Sequence, residues 1–420
     1  MLTQAVYHFL LVGICLSLLS CILDNPVDET ESPTEFEYNA WLLERLYLYP
    51  SELPNALATA DTSVTLLYKS LSDPYTRYVA KTHSDETITN MNTSYVPGDI
   101  GVELLLASGN KHPLFIYRIY SKGPAGRAGI PRYANILSIN GVDLEGDSAY
   151  IRYQNTLSKN KEIVLTVTSH GDTLQPYTLA KESIYAPTVF VDTLDGFVFI
   201  SIREFTLTTE DPVDGTLGEL RKALEDTRKA EVRIIDVRNN PGGHMSQCIG
   251  AADLFVKRGI LSTRVDKYFD GNGVATTKRL DYTASSGDLA ESGKFVLLAN
   301  RNTASCGEIF VAAITENTDI PLLGETTYGK GIGQSSWKTI DGGLAIITNL
   351  QLYTPRGTSY HGTGIAPDVQ CGDDFILCAI EKAQSMANTV AEKKQWNSIP
   401  YSLEKQTFYL PRKPWGGAIP

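Results

Sequence analysis

The chain has 420 residues, 42% hydrophobic and 20% charged, which gives enough apolar content to bury the cores of roughly two or three domains and excludes general disorder. Its 37 Lys and Arg stand against 48 Asp and Glu, for a net charge of −11, which excludes a nucleic-acid polyanion as the main partner because that binding needs clustered cations. Six cysteines are too few to build a disulfide scaffold.

Residues 1–20 contain no Asp, Glu, Lys or Arg, and the apolar run from Phe9 to Leu16 is shorter than the ~20 residues a membrane-spanning helix needs. This pattern predicts an export signal that is removed. The run closes on Leu18-Leu19-Ser20-Cys21, which resembles a bacterial lipobox, so lipidation of Cys21 is expected. Residues 21–37, acidic and proline-bearing, suit an extended tether between a membrane and a folded body.

Over 38–90, Trp41, Leu42, Leu46 and Tyr49, then Val64, Leu67 and Leu71, recur at helical spacing and predict two helices, with Asp73-Pro74 breaking the second. Over 91–183 the texture changes to short β-rich runs at 101–106, 115–119, 136–139 and 163–167, the signature of one small β-domain. Over 184–390 strands at 197–202, 232–237 and 295–299 interleave with helical stretches at 217–224, 248–256 and 308–314, which predicts an α/β core with a partly parallel sheet. The tail 391–420 has no legible pattern.

The richest chemistry lies in Ala299-Asn300-Arg301-Asn302-Thr303-Ala304-Ser305-Cys306-Gly307-Glu308, a strand, a turn of small residues and a helix. Ser305 there stands at a helix N-terminus, where unpaired N–H groups can stabilise an oxyanion; the same position equally suits a plain N-cap. Glu308 reads most simply as a first-turn acid favoured by the helix dipole. A serine nucleophile needs a base, and Lys330 in Tyr328-Gly329-Lys330-Gly331-Ile332 has uncharged neighbours, as a lysine with a lowered pKa requires. The stretch Gly324 to Lys330 has P-loop spacing but continues with Gly331 where Ser or Thr should hold Mg²⁺, so nucleotide binding is not expected. No His/Cys cluster has zinc spacing, and neither metal nor cofactor is expected.

Taken together, these segments resemble the S41 serine peptidases, the C-terminal processing or tail-specific proteases. Ser305-Cys306-Gly307-Glu308 is similar to the family's nucleophile turn and Gly329-Lys330-Gly331 with Gln334 to its lysine segment. Asp236-Val237-Arg238-Asn239-Asn240-Pro241-Gly242-Gly243 is similar to its oxyanion loop, and Tyr353 to Asp368 to its closing signature. Gly123 to Ile130 and Ile136 to Gly141 resemble a PDZ domain, and Asp73-Pro74-Tyr75-Thr76-Arg77-Tyr78 the segment that precedes it.

The resemblance implies a ClpP/crotonase-like α/β catalytic core with an inserted or preceding PDZ β-domain and an N-terminal helical segment. It implies Ser305 as nucleophile, Lys330 as base, Gln334 orienting the lysine, and the N–H groups of Cys306 and of Gly242 or Gly243 as oxyanion donors. The PDZ module would take a substrate's C-terminal tail by strand addition, with Ile100, Gly101, Val102 and Leu104 nearest the tail. Asp99 departs from the family, where Gly is common, and an acid facing the tail carboxylate would repel it. Expected partners are unfolded or C-terminally tagged proteins and, through Cys21, a membrane of the bacterial cell envelope facing the periplasm or exterior. Three other readings stay open: a silent peptide-binding protein, a hydrolase using His361 and Asp368, and Cys306 as the nucleophile. Cys371 and Cys378, seven residues apart, are a candidate disulfide.

Overall fold

The computed structural model describes residues 32–107, 109–168, 174–287, 289–387 and 408–409. The expected export signal and Cys21 lie outside the described residues, as does most of the tail.

Helix α1 (Glu35–Leu46) starts inside the expected tether. The Thr34 hydroxyl accepts from Glu37 N at 3.2 Å while the Glu37 carboxylate accepts from Thr34 N at 2.8 Å, so part of the acidic run is a capping box. Two further helices, α2 (Leu53–Ala60) and α3 (Val64–Lys69), follow where one was expected, because Pro50 and Pro54 restart the chain after α1. Strand β1 (Arg77–Val79) comes after the Asp73-Pro74 break, and α4 (Lys81–Asn92) after it.

The β-rich region runs through β2 (Tyr95–Asp99), β3 (Val102–Leu106), β4 (Leu114–Ile119), α5 (Pro124–Arg127), β5 (Asn135–Ile139), β6 (Val142–Asp143), α6 (Ala149–Lys159), β7 (Glu162–Thr168), β8 (Leu174–Ala180) and β9 (Glu182–Tyr185). It has its own apolar cluster, with Ile100, Leu104, Leu114, Ile136, Ile163 and Leu165 at its centre. Strands β2 and β9 pair antiparallel, so the chain enters and leaves this region along one two-stranded ribbon.

The remaining elements are β10 (Val189–Leu194), β11 (Phe197–Ile202), α7 (Gly215–Asp226), β12 (Val232–Asp236), α8 (Met245–Asp253), β13 (Ile260–Phe269), β14 (Ala275–Thr283), β15 (Lys294–Ala299), α9 (Cys306–Asn317), β16 (Leu322–Gly324), β17 (Ile332–Lys338), β18 (Leu344–Tyr353), β19 (Val369–Gln370), α10 (Phe375–Met386) and β20 (Phe408–Tyr409). A six-stranded sheet has the order β10-β11-β12-β15-β16-β19, antiparallel at β10/β11 and parallel elsewhere. Side chains alternate across it. Ile235, Leu297 and Ala299 face α7, α8 and α9, whereas Ile234, Val296 and Leu298 face α10, and this two-sided burial explains the near-continuous apolar runs. The architecture is thus mixed α/β and multidomain.

A second, antiparallel sheet of order β1-β18-β13-β14, with β17 also on β18, has no counterpart in the sequence reading. Its β14 alternates half-buried and exposed polar residues and carries little apolar signal. Helices α1 to α3 close over this sheet through Leu42, Leu46 and Leu67 against Ala345 and Ile347. From the tail, β20 adds antiparallel to the edge of β3, Phe408 opposite Leu106 and Tyr409 opposite Leu105.

Candidate active site

The chain leaves β15 and turns through 300–305 into α9, whose first nine residues, Cys306 to Ile314, are all buried. Ser305 is the N-cap with φ 53° and ψ −118°, a backbone state that costs a non-glycine residue roughly 1–3 kcal/mol and persists only where its surroundings impose it. The surroundings do. Ala304 N donates to Asn240 O at 2.9 Å, Thr303 Oγ1 donates to Val237 O at 2.8 Å, and Tyr328 N donates to Thr303 O at 2.9 Å. Cys306 stands at the first helical position, where an N–H has no intrahelical acceptor.

The loop after β12 passes close to this turn. A Cβ on Gly242 (φ 107°) would lie 2.8 Å from Ser305 Cβ and 2.9 Å from Cys306 N, and one on Gly243 (φ 136°) would lie 2.1 Å from Phe205 O. Only glycine fits either position. Asn240 shapes the loop from inside, its Nδ2 donating to Ile202 O at 3.0 Å and its Oδ1 accepting from Gly242 N at 2.8 Å. The N–H of Gly242 is therefore engaged, and of the two glycines Gly243 lines the open cleft together with Ser305 and Cys306.

Lys330 lies on the loop entering β17. Its Nζ donates to Gln334 Oε1 at 3.2 Å and sits 4.0 Å from the centroid of the Tyr75 ring. Burial, with a lesser push from the Arg77 guanidinium, lowers its pKa to about 8, against the opposing pull of Asp73 and Glu308. Gln334 is itself fixed: its Nε2 donates to Thr348 Oγ1 at 3.0 Å, Thr348 N donates to Thr76 Oγ1 at 2.9 Å, and Thr76 Oγ1 donates to Asp73 Oδ2 at 2.6 Å. The Tyr75 and Tyr328 hydroxyls are 3.2 Å apart. The segment Asp73 to Arg77 thus forms one wall of the lysine's surroundings. Ser305 and Lys330 line the same cleft of about 780 Å³. Among the described residues no hydrogen bond joins Ser305 Oγ to Lys330 Nζ, and the amine rests on Gln334 and Tyr75 instead.

Glu308 does more than offset a helix dipole. It is fully buried, and its carboxylate accepts from Ser305 N at 2.9 Å, Thr327 Oγ1 at 2.6 Å, Gly329 N at 2.6 Å and Lys330 N at 2.7 Å. One carboxylate ties the serine turn to the lysine loop. Burial raises its pKa even though all four donors act to lower it.

Among the described residues two disulfides are present, Cys248–Cys306 and Cys371–Cys378. The first engages the Cys306 thiol and so removes it as a nucleophile; it joins the start of α9 to α8, the helix that follows the glycine loop. The sequence gives no sign of it, because the two cysteines are 58 residues apart. His361 Nδ1 contacts the Gly329 carbonyl at 3.2 Å and Asp368 accepts from Leu322 N at 2.8 Å; among the described residues no contact joins this pair. In the β-rich region Ile100, Val102 and Leu104 are buried in its cluster, and Asp99 Oδ1 turns back to accept from Gly101 N at 2.6 Å.

Residues 197–371, which carry the serine turn, the glycine loop and the lysine loop, match the sequence model of Peptidase family S41. The chain is similar to a probable CtpA-like serine protease of Staphylococcus aureus (strain bovine RF122 / ET3-1), 28% identical over 307 residues, 72% of this chain and 58% of that one. A probable CtpA-like serine protease of Staphylococcus haemolyticus (strain JCSC1435) is 26% identical over 346 residues, 82% of this chain and 65% of that one. The chain therefore spans less than two thirds of these relatives' length. Among solved structures, a photosystem II D1 C-terminal processing protease shares the fold with a TM-score of 0.50 at 19% identity, over 86% of this chain and 99% of that one. A candidate S41 protease from Bacteroides fragilis NCTC 9343 shares it with a TM-score of 0.56 at 14% identity, over 86% and 100%. These solved structures share the fold of the chain.

Proposed function

We propose that the chain is an extracytoplasmic serine endopeptidase of the tail-specific type, working by a Ser–Lys mechanism. The observation that carries this reading is the desolvated Lys330 amine in one cleft with Ser305 at the N-terminus of a buried helix. Substrate entering the cleft brings the neutral amine from Gln334 towards Ser305, as apo hydrogen bonds tighten on binding. Lys330 Nζ takes the Oγ proton as Oγ attacks the scissile carbonyl, and the N–H groups of Cys306 and Gly243 receive the oxyanion. The C–N bond then breaks and Lys330 returns its proton to the leaving amine; water, deprotonated by the same lysine, attacks the acyl carbonyl, the C–Oγ bond breaks and the proton passes from Nζ to Ser305 Oγ.

The 91–183 region is read as a PDZ module that presents substrate tails along β3, an edge on which β20 already shows strand addition. Lipidation at Cys21 would hold the enzyme to the cell envelope. The two disulfides favour an oxidising compartment over a cytoplasmic one. The test is cleavage of an unfolded reporter bearing an apolar C-terminal tail. The parent should cut it, while Ser305→Ala and Lys330→Ala, still folded by circular dichroism, should lose at least about 10³-fold in kcat. Tail binding without cleavage by the parent would favour the silent peptide-binding reading.

A further inference from the structure

The cleft is lined by three guanidinium groups, and two of them have acids close by. Arg264 pairs with Asp266 at 2.8 Å, and Arg203 lies near enough to Asp236 to lower its pKa. Arg77 differs. It opens β1 opposite Ile346 of β18, it is half-buried in the cleft wall, and its Nη1 donates to Tyr75 O at 3.4 Å. Among the described residues no carboxylate lies within ion-pair distance of it. Burial alone pulls its pKa down, with no acid acting in the other direction. A cation taken from water without a counter-charge is costly, and a guanidinium presents a fork that matches a carboxylate. Its place is also telling: the ring of the same Tyr75 lies under the Lys330 amine, and the Arg77 guanidinium is near enough to push the lysine's pKa down.

We propose that the cleft receives a carboxylate carried by the substrate near the scissile bond, and that Arg77 is the residue that binds it. The proposal rests on the Ser305–Lys330 reading and adds a substrate class to it. The carboxylate has two chemical sources, an Asp or Glu side chain or the α-carboxylate of a short tail. Either would bring the missing counter-charge into the cleft only when substrate is bound, so acidic sequences would be selected at the step that commits the chain to cleavage.

The experiment compares four synthetic peptides of one sequence: free acid, C-terminal amide, the amide with Glu two residues from the cut, and the amide with Gln there. Each is cleaved at pH 9.5, above the Lys330 pKa of about 8 in the parent. The parent should prefer a carboxylate-bearing peptide over its neutral partner by ~10–100-fold in kcat/KM, the range of one charge-assisted hydrogen-bonded pair. A preference in the acid/amide pair identifies the α-carboxylate, and one in the Glu/Gln pair the side chain. In Arg77→Gln the ratio should fall to near one while the neutral peptide is still cut, and Arg77→Glu should invert it against a Lys-containing peptide. Using ratios within each enzyme cancels any change in the base itself. A parent with no preference, or an Arg77→Gln enzyme that keeps the parent's preference, overturns the assignment; in the latter case the carboxylate is read elsewhere, as on the β3 edge. Failure of the parent to cut any peptide would instead count against the Ser–Lys reading.

Discussion

The serine and the lysine face one cleft but are held in opposite ways. Ser305 is held by backbone: a strained N-cap, a wholly buried helix and glycines that admit the neighbouring loop. Lys330 is held by side chains from far away, with Tyr75 beneath it and Gln334, Thr348, Thr76 and Asp73 in a line behind it. The proposed nucleophile is thus a local construction and the proposed base a tertiary one. Substitutions near the serine should damage stability and chemistry together, whereas those near the lysine can separate them.

Glu308 is where the two modes meet, and breaking it should cost most. In Glu308→Gln the amide can no longer accept all four donors, and a loss of roughly 3–5 kcal/mol is expected from chemical denaturation, together with at least a hundredfold fall in kcat. Retained activity at normal stability would show that the carboxylate positions neither loop. Next come the disulfides. Cys248→Ser opens a 58-residue loop and should lower stability by about 4 kcal/mol on chain-entropy grounds, with activity falling as well. Cys371→Ser, which opens a loop of seven, should cost only about 2 kcal/mol and leave peptide cleavage intact.

The lysine side is sharpened by Lys330→Met, expected to be inactive yet more stable. The parent amine is charged in the unfolded chain below its ordinary pKa of 10.5 but in the folded chain only below about 8. Folding at neutral pH therefore carries a penalty that is complete below about pH 8, fades as pH rises and vanishes above about 10.5. Removing the amine should raise stability by roughly 3 kcal/mol at pH 7 and by nothing at pH 11. The smallest effect is in the parent: kcat/KM should rise with pH through a midpoint near 8 as Lys330 deprotonates, and a flat profile from pH 6 to 9 would exclude a titrating lysine.

The same contrast governs what could be read from the sequence. The turn and start of α9, strands β11, β12 and β15 and the glycine loop were legible because each is a short-range pattern: an apolar run, a small-residue turn, a pair of glycines. The β13–β14 hairpin was not, since its half-exposed strands carry little periodicity. Nor was the hub role of Glu308, because three of its four donors come from 19 to 22 residues further on and only the fold brings them back. The same holds for Arg77, whose lack of an acid becomes visible only once β1 lies along β18.

The contact between Tyr75 and Tyr328 spans 253 positions. During synthesis Tyr75 is made early and Ser305 and Lys330 late, so the lysine cannot lose its hydration until the N-terminal segment has folded back along β18. A chain in which that segment has not docked leaves the amine hydrated, and under the Ser–Lys reading it has no working base. On the Ser–Lys reading, proteolytic competence therefore waits for the pairing of β1 with β18, and a chain stays inactive until its early and late parts meet.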